Sequence, residues 1–363
     1  MVEGASSHAT AKVVAVQWTS VDQADITLSD LTGTFIADEQ IVGQSNPDHQ
    51  ADLDGSPSEK IAGLPNDAMA SPLLVDLEGN YIADRIYAGD LYGNLYRIIN
   101  IGKNQVPAVS TLLTFDHSLS GINPIRGKAG FAYGEGNGNI WVYCGTGKYE
   151  IQADKTNTAT QYFFGLQDSA AGVSTYAPDD PRIKTIQAKF LTTQINGQDR
   201  TVRIYDGSNP YHDSWKIELY SGQFSGPSAA GSERVFTKPL VVNGIVFFTT
   251  FIPDQNVCAG SGETWVFAVQ YDTGLPPSFP IFDLNGDGLF DDKDKVEVNG
   301  EKLIPMGIFV GRGKGSHPVL HKDTLFITTT GDGDDSVNGK GGLTPIPFNN
   351  RNSRVRVNSW KQN

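Results

Sequence analysis

Pro239–Thr249 reads PLVVNGIVFFT, and Pro318–Thr328 reads PVLHKDTLFIT. The two align without a gap: a proline, three strand-forming residues, a tight turn, then a second strand ending on threonine. Asn243-Gly244 is a strong hairpin signal, because Asn and Gly adopt the positive φ angles that a two-residue turn between twisted strands requires. A third copy begins at Pro72 as PLLV, is interrupted by DLEGNYIAD, and resumes as RIYAGD. A fourth is expected from Pro124, with GEGNGN (134–139) as its turn. Hairpins repeated in this way are what propeller blades look like in sequence.

The rest of the chain agrees with that reading. ADRIYAGDLYGNLYRI (83–98), GNIWVYCGTG (138–147), TQYFFGLQD (160–168), DRTVRIYDG (199–207), DSWKIEL (213–219) and TWVFAVQYDTG (264–274) are rich in β-branched and aromatic residues. Gly, Asn, Asp and Pro bound them, and helical periodicity is weak throughout. The prediction is an all-β chain: a β-propeller of about four to five blade-like units, as a partial ring or one with irregular blades, with long loops and acidic hairpin turns. Residues 1–65 read as a polar, partly irregular lead-in that includes SNPDHQADLDGSPSEK (45–60), and 66–363 as the propeller. Residues 331–353 are loop-like.

A net charge of −13 sets the chain against nucleic acid and anionic membrane as partners. No stretch approaches the roughly 18 apolar residues of a membrane span. The opening MVEGASSHATAK lacks the charged and apolar regions of a signal peptide, so an export signal is expected outside this chain. Cys144, in IWVYCGTG, reads as a small buried strand residue and Cys258 as exposed in a polar loop. A 144–258 bridge stays open as the alternative.

The sharpest chemistry lies in Asp283–Asp294, DLNGDGLFDDKD. Oxygen ligands stand at loop positions 1, 3, 5, 9 and 12, as Asp283, Asn285, Asp287, Asp291 and Asp294. Gly288 holds position 6, where an EF-hand-type loop turns sharply, and Leu289 at position 7 offers its carbonyl. Calcium takes six to eight hard oxygens, and this spacing wraps them round one point. Asp294 replaces the usual Glu, so its shorter arm must draw the backbone inward. A second loop fills the interruption of the third repeat. Asp76, Glu78, Asn80 and Asp84 fall at positions 1, 3, 5 and 9, with the Ile82 carbonyl at position 7. This is the same pattern without its closing carboxylate, with Tyr81 in the glycine position. Its ends are pinned by strands, so an ion there would order a long turn that otherwise costs closure entropy. GDGDDS (331–336) has incomplete spacing and reads as an exposed acidic loop.

VDLEGNYIADRIYAGDLYGNLYRI (75–98) resembles the signature of the PilY/PilC family of type IV pilus tip adhesins and biogenesis factors. In that family a D-x-D-x-N-x-x-x-D calcium loop precedes a strand pair of the form D-x-x-YAGD-x-x-GNL-W/Y-R. The segments VYCGTGKYEIQADKTNTATQYFFGLQD (142–168) and SWKIEL with SERVFTKPLVVNGIVFFTTFIPDQNVCAGSGETWVFAVQYDTG (214–274) are similar to later parts of the same pattern. NSWKQN resembles the family's ending. The resemblance covers about 65–363. It implies a C-terminal propeller region whose calcium ligands are Asp76, Glu78, Asn80, the Ile82 carbonyl and Asp84. Glu78 in place of Asp bears on affinity rather than location. The family's earlier GxNDGxLHaF strands are not in this sequence, so residues 1–65, a second polypeptide or a further N-terminal part is expected to complete the ring; its RGD tripeptide is also absent, so host-receptor binding by that route is not expected.

The resemblance implies a calcium-binding extracellular protein that works at the pilus tip by binding rather than catalysis. The expected partners are minor pilin or tip proteins of a type IV pilus, and a host or surface receptor. Catalytic constellations are thin: the six histidines form no HExxH, and no G-x-S-x-G elbow occurs. GIFVGRGKGSHP (307–318) is out of P-loop register and reads as a Gly-rich turn. Two alternatives remain at this point. One is a quinoprotein-dehydrogenase-like propeller that uses calcium to hold a quinone. The other is a carbohydrate-binding surface module offering Trp18, Trp141, Trp215, Trp265 and Trp360 as stacking faces.

Overall fold

The structure is a computed structural model. It describes residues 69–99, 101, 107–115, 123–134, 139–169, 175–208, 213–222, 231–254, 262–331 and 342–350, together with the backbone of strands at 2–4, 10–18, 24–32, 40–43 and 46–52. The chain divides into two compact units, Met1–Ala68 and Met69–Asn363.

The first unit holds β1 (Val2–Gly4), β2 (Thr10–Trp18), β3 (Ala24–Thr32), β4 (Gln40–Gly43) and β5 (Asn46–Asp52). They form one sheet in the order β3-β2-β1-β4-β5. Residues expected to be a polar lead-in thus carry regular strands. The cause is local: TAKVVAVQW and ADITLSDLT hold enough β-branched residues to favour an extended chain, and they pair with each other.

The second unit is a four-blade propeller arrangement. Blade I contains β6 (Leu73–Val75), β7 (Arg85–Gly89), β8 (Leu95–Ile99) and β9 (Ala108–Leu113) in sequence order. Blade II contains β10 (Gly130–Tyr133), β11 (Ile140–Gly145) and β12 (Tyr162–Asp168). Two later strands, β13 (Ile183–Gln187) and β16 (Ser214–Glu218), complete it in the order β10-β11-β12-β16-β13, with β13 parallel to β16. Between those two strands the chain makes a hairpin, β14 (Lys189–Ile195) and β15 (Gln198–Ile204), which joins the next sheet. Blade III contains β17 (Leu240–Val242), β18 (Ile245–Pro253), β19 (Gly262–Gln270) and β22 (Gly307–Arg312), and β15 and β14 extend it. A separate hairpin, β20 (Val296–Val298) and β21 (Glu301–Leu303), lies between β19 and β22 in the chain. Blade IV contains β23 (Val319–His321), β24 (Thr324–Thr329) and β25 (Gly342–Pro347).

The repeats read from sequence are the first hairpins of blades III, IV and I. The fourth copy pairs β10 with β11 and so starts at Gly130 rather than Pro124. The segment 307–318 carries β22 over its first six residues and turns only after it.

Adjacent residues of a strand point to opposite faces, and the blades use both. In β12, Phe163 enters the core between blades II and III, while Phe164 enters the core between blades I and II. In β18, Phe248 joins the first of these, and Phe247 packs with Leu325, Ile327 and Phe348 between blades III and IV. Phe163 and Phe248 stack at 3.7 Å between centroids, with an interplanar angle of 8°. Trp215 lies directly over Gly165, where a Cβ would stand 2.2 Å from the indole. Trp141, Trp215 and Trp265 are all buried in this core. They therefore offer no stacking faces for carbohydrate, in keeping with the strand patterns in which they stand, where core packing is the better reading. Trp18 and Trp360 have no described side chains.

Polar clasps join the blades as well. Asp168 at the end of β12 receives Arg85 Nη1 at 3.1 Å and also bonds Arg97 Nη1 and the Tyr87 hydroxyl, all three from blade I. Asp168 is 1% exposed. Arg234 is buried with its guanidinium on the Lys148, Asp154, Asn157 and Ser232 carbonyls. Cys144 is buried in β11, and burial pushes its thiol up to about 12. Cys258 lies outside the described residues, as do residues 332–336 of the third acidic loop and 351–353 of the tail segment.

β25 carries Pro345 and Pro347. An antiparallel strand bonds each neighbour through alternate residues, and proline has no N–H to give. Since β25 is bonded to β24, these prolines face the outer edge, and that edge is blunted against a further strand.

Candidate metal loops

The two acidic loops share one hydrogen-bond pattern, and it follows from where the aspartates fall. In 283–294, the position-1 carboxylate of Asp283 accepts the N–H of Gly286 (2.7 Å) and of Gly288 (2.8 Å). In 76–84, the carboxylate of Asp76 accepts the N–H of Gly79 (2.7 Å) and of Tyr81 (2.7 Å), the same positions 4 and 6. At position 5, Asp287 accepts the Leu289 N–H at 2.9 Å, and Asn80 accepts the Ile82 N–H at 2.8 Å. The position-5 and position-3 side chains also meet in both loops, as Asn285–Asp287 and Glu78–Asn80, each at 3.0 Å.

The closing residue differs from the sequence expectation. In the longer loop, Asp294 Oδ1 accepts the N–H of Leu284 (2.8 Å) and Asn285 (3.4 Å), while its other oxygen takes the Asp291 N–H (3.0 Å). In the shorter loop, Asp84 Oδ2 accepts the N–H of Leu77 (2.6 Å) and Glu78 (3.3 Å). These are the same positions 2 and 3. Asp84, nine residues in, therefore holds the place that Asp294 holds at twelve, so the shorter loop does have a closing carboxylate. Position counting missed this because it assumed a fixed loop length. The neck is tied directly: Asp84 donates its N–H to the Val75 carbonyl at 2.8 Å, and Val75 pairs with Arg85.

Asp291 accepts the Lys293 N–H at 2.8 Å and begins the short 3-10 turn 292–294. Glu78 and Asn80 lie at the exposed end of their loop, and Ile82 and Leu289 expose their side chains there at 58% and 57%. Among the described residues, no three His, Cys, Asp or Glu side chains stand together as a metal-holding group. In this structure the loop oxygens are turned onto backbone N–H groups.

Burial and hydrogen bonds act unequally on the carboxylates of the two loops. Burial pushes the Asp294 carboxyl above its ordinary range against three backbone N–H bonds, and the Asp283 charge pushes the same way. At Asp287, the Leu289 N–H leads in holding the carboxyl below its ordinary range, with Asn285 and Lys293 assisting against desolvation. The Lys293 ammonium sits 3.3 Å from Asp287 Oδ2, a monovalent cation already drawn to the loop. At Asp76, desolvation raises the pKa, but the N–H groups of Tyr81, Gly79, Asn80 and Glu78 together outweigh it and hold the carboxyl low. Carboxylate, amide and carbonyl oxygens are hard donors, the type that calcium takes and softer metals do not favour.

The longer loop is also tied to a distant hairpin that sequence reading did not connect to it. Asn196, in the β14–β15 turn, donates its side-chain N–H to the Asn285 carbonyl at 2.8 Å. Leu284 packs with Leu191, Val202, Ile204 and Val296 beneath. No local signal marks this contact, because the two segments meet only when blade II lends its hairpin to blade III.

No family model matches the chain. The type IV pilus biogenesis factor PilY1 of Pseudomonas aeruginosa (strain PAO1) is 27% identical over 286 residues, covering 68% of this chain and 24% of that protein. A PilY1 homolog of Xylella fastidiosa (strain Temecula1) is 30% identical over 213 residues, covering 58% of this chain and 16% of that protein. The chain thus spans about a quarter or less of the length of these relatives. Among solved structures, the crystal structure of the P. aeruginosa PilY1 C-terminal domain matches with a TM-score of 0.60 at 18% identity, over 86% of this chain and 67% of that one. The comparisons bear out the resemblance read from the motifs: the chain is similar to the C-terminal region of PilY1 proteins and shares its fold.

Proposed function

We propose that this PilY1-like chain is a calcium-binding propeller of the type IV pilus system, acting in pilus biogenesis, tip adhesion or surface contact by binding rather than catalysis. The observation that carries the calcium part is the hydrogen-bond pattern common to the two loops. Two segments of different length and sequence place equivalent carboxylates at their first and closing positions. The pilus part rests on the relatives, which are named as pilus biogenesis factors.

The residues that would hold calcium are Asp283, Asn285, Asp287, the Leu289 carbonyl, Asp291 and Asp294 in one loop. In the other they are Asp76, Glu78, Asn80, the Ile82 carbonyl and Asp84. Bound calcium supplies positive charge to each carboxylate set. Asp84 and Asp294 draw positions 2 and 3 of their loops inward, so each loop is closed before an ion arrives. Ile82 and Leu289 stay exposed, which leaves the loop ends available to a partner. Stabilisation follows RT ln(1 + [Ca]/Kd), about 4 kcal/mol when calcium is 1,000-fold above Kd.

The partners proposed are minor pilin or tip proteins and a host or surface receptor, with the protein exported to the cell surface. A second polypeptide that completes the ring would have to attach elsewhere than the outer edge of β25, which Pro345 and Pro347 blunt. Among the described residues no helix is long and apolar enough to cross a membrane. The test is thermal melting of the full chain in calcium and in EGTA, for the parent, Asp84→Ala and Asp287→Ala. The parent melts lower in EGTA, and each variant loses part of that difference. Identical melting in calcium and EGTA would overturn the calcium reading.

A further inference from the structure

Tyr81 is a backbone outlier whose side chain the fold does not use. Its φ is +66°, in the left-handed region that a bulky residue occupies only at a cost. Among the described residues, the other non-glycine positions with positive φ are Asn196, Asn243, Asn299 and Lys322. Each of those opens a two-residue turn between paired strands, where the geometry demands it. Tyr81 instead stands in the shorter acidic loop, at the position that Gly288 holds in the longer one with φ +78°. Glycine would serve that backbone without strain. The Tyr81 side chain returns nothing to the fold, since the residue is 98% exposed.

Its surroundings are those of a contact surface. Ile82 beside it is 58% exposed. Tyr133, at the end of β10, is 60% exposed and donates its hydroxyl to the Asp76 carbonyl at 2.9 Å. The carboxylate of the same Asp76 takes the Tyr81 N–H. One aspartate therefore anchors two exposed tyrosines from neighbouring blades. The carboxylates of Asp76, Glu78 and Asp84 belong to the same loop, and a divalent ion there would leave the set still net negative.

We propose that Tyr81, Ile82 and Tyr133 form a docking knob for a protein partner that offers an apolar pocket rimmed by lysine and arginine. Tyrosine suits the task because it presents a large amphipathic surface with little rotamer entropy to lose. The acidic collar selects a basic rim and disfavours an anionic lipid surface. The choice of partner for the test rests on the pilus reading above.

The probe is type IV pili sheared from the organism that encodes this chain, co-sedimented with the full-length chain at low and high salt. The parent is expected to bind, more weakly at high salt. Tyr81→Gly is expected to bind at least about tenfold more weakly while melting no lower than the parent, since glycine fits the left-handed backbone. Equal binding by parent and Tyr81→Gly overturns the docking knob and leaves the pilus reading standing. No binding by the parent overturns the pilus reading and the knob with it. Flotation of the parent with phosphatidylethanolamine–phosphatidylglycerol vesicles, lost in Tyr81→Gly, would assign the knob to membrane instead. Self-association of the parent in sedimentation equilibrium, lost in Tyr81→Gly, would assign it to a second copy. Either result overturns the protein pocket.

Discussion

Asp168→Asn tests how blades I and II are joined. Asp168 lies at the end of β12 and takes Arg85, Arg97 and Tyr87 from the neighbouring sheet. Its side chain is 1% exposed, and those of Arg85 and Arg97 are 11% and 5% exposed. Asparagine keeps the shape but removes the charge on which both guanidinium groups converge. Breaking a buried pair from one side costs about 3–5 kcal/mol, because the stranded charge keeps its desolvation penalty. Asp206→Ala provides the contrast. Its partner Lys189 is 52% exposed and Asp206 36%, so water screens the pair and the loss is expected within about 1 kcal/mol. Urea denaturation followed by tryptophan fluorescence measures both, since Trp141 and Trp215 lie in the core that β12 helps to form. The m-value should stay constant, so that a shift in midpoint reads as stability. A loss below about 1 kcal/mol for Asp168→Asn would refute the clasp.

Two further predictions concern the acidic loops. Asn196→Gly preserves the positive-φ turn between β14 and β15 and removes only the amide on the Asn285 carbonyl. Calcium affinity at 283–294 is expected to fall about two- to tenfold, the range of one hydrogen bond, with 76–84 unaffected; equal affinity in a calorimetric titration would show that the contact does not support the loop. Acidification is expected to empty the two loops in order. Calcium needs Asp294 without its proton, and burial raises the folded pKa of that group, so affinity at 283–294 is full above the raised pKa and is lost as pH falls through it. Asp76 is held low, so its loop keeps calcium to lower pH; calcium titrations at stepwise lower pH that show loss in the reverse order would contradict this assignment.

The hairpins were legible because their turns need particular chemistry. Asn243-Gly244 takes φ +50° and +80°, as an Asn-Gly turn should. The two-sided blades were legible only as dense apolar runs. IVFFTTFIP is buried at every position, so no alternation betrays which face each residue takes. The exchange of β14 and β15 into blade III had no local signature, because it depends on which sheet edge is near after folding. The sheet at 2–52 was hidden by its polar flanks. In the shorter acidic loop the spacing misjudged Asp84, whose role is fixed by the N–H groups it reaches rather than by its number in the loop.

Isothermal titration of the full chain with calcium, for the parent, Asp84→Ala, Asp287→Ala and the double variant, tests most directly whether the acidic turns of this propeller hold calcium. Two sites in the parent, one in each single variant and none in the double are the predicted result. No calcium heat in the parent, or a stoichiometry that neither substitution changes, would contradict it.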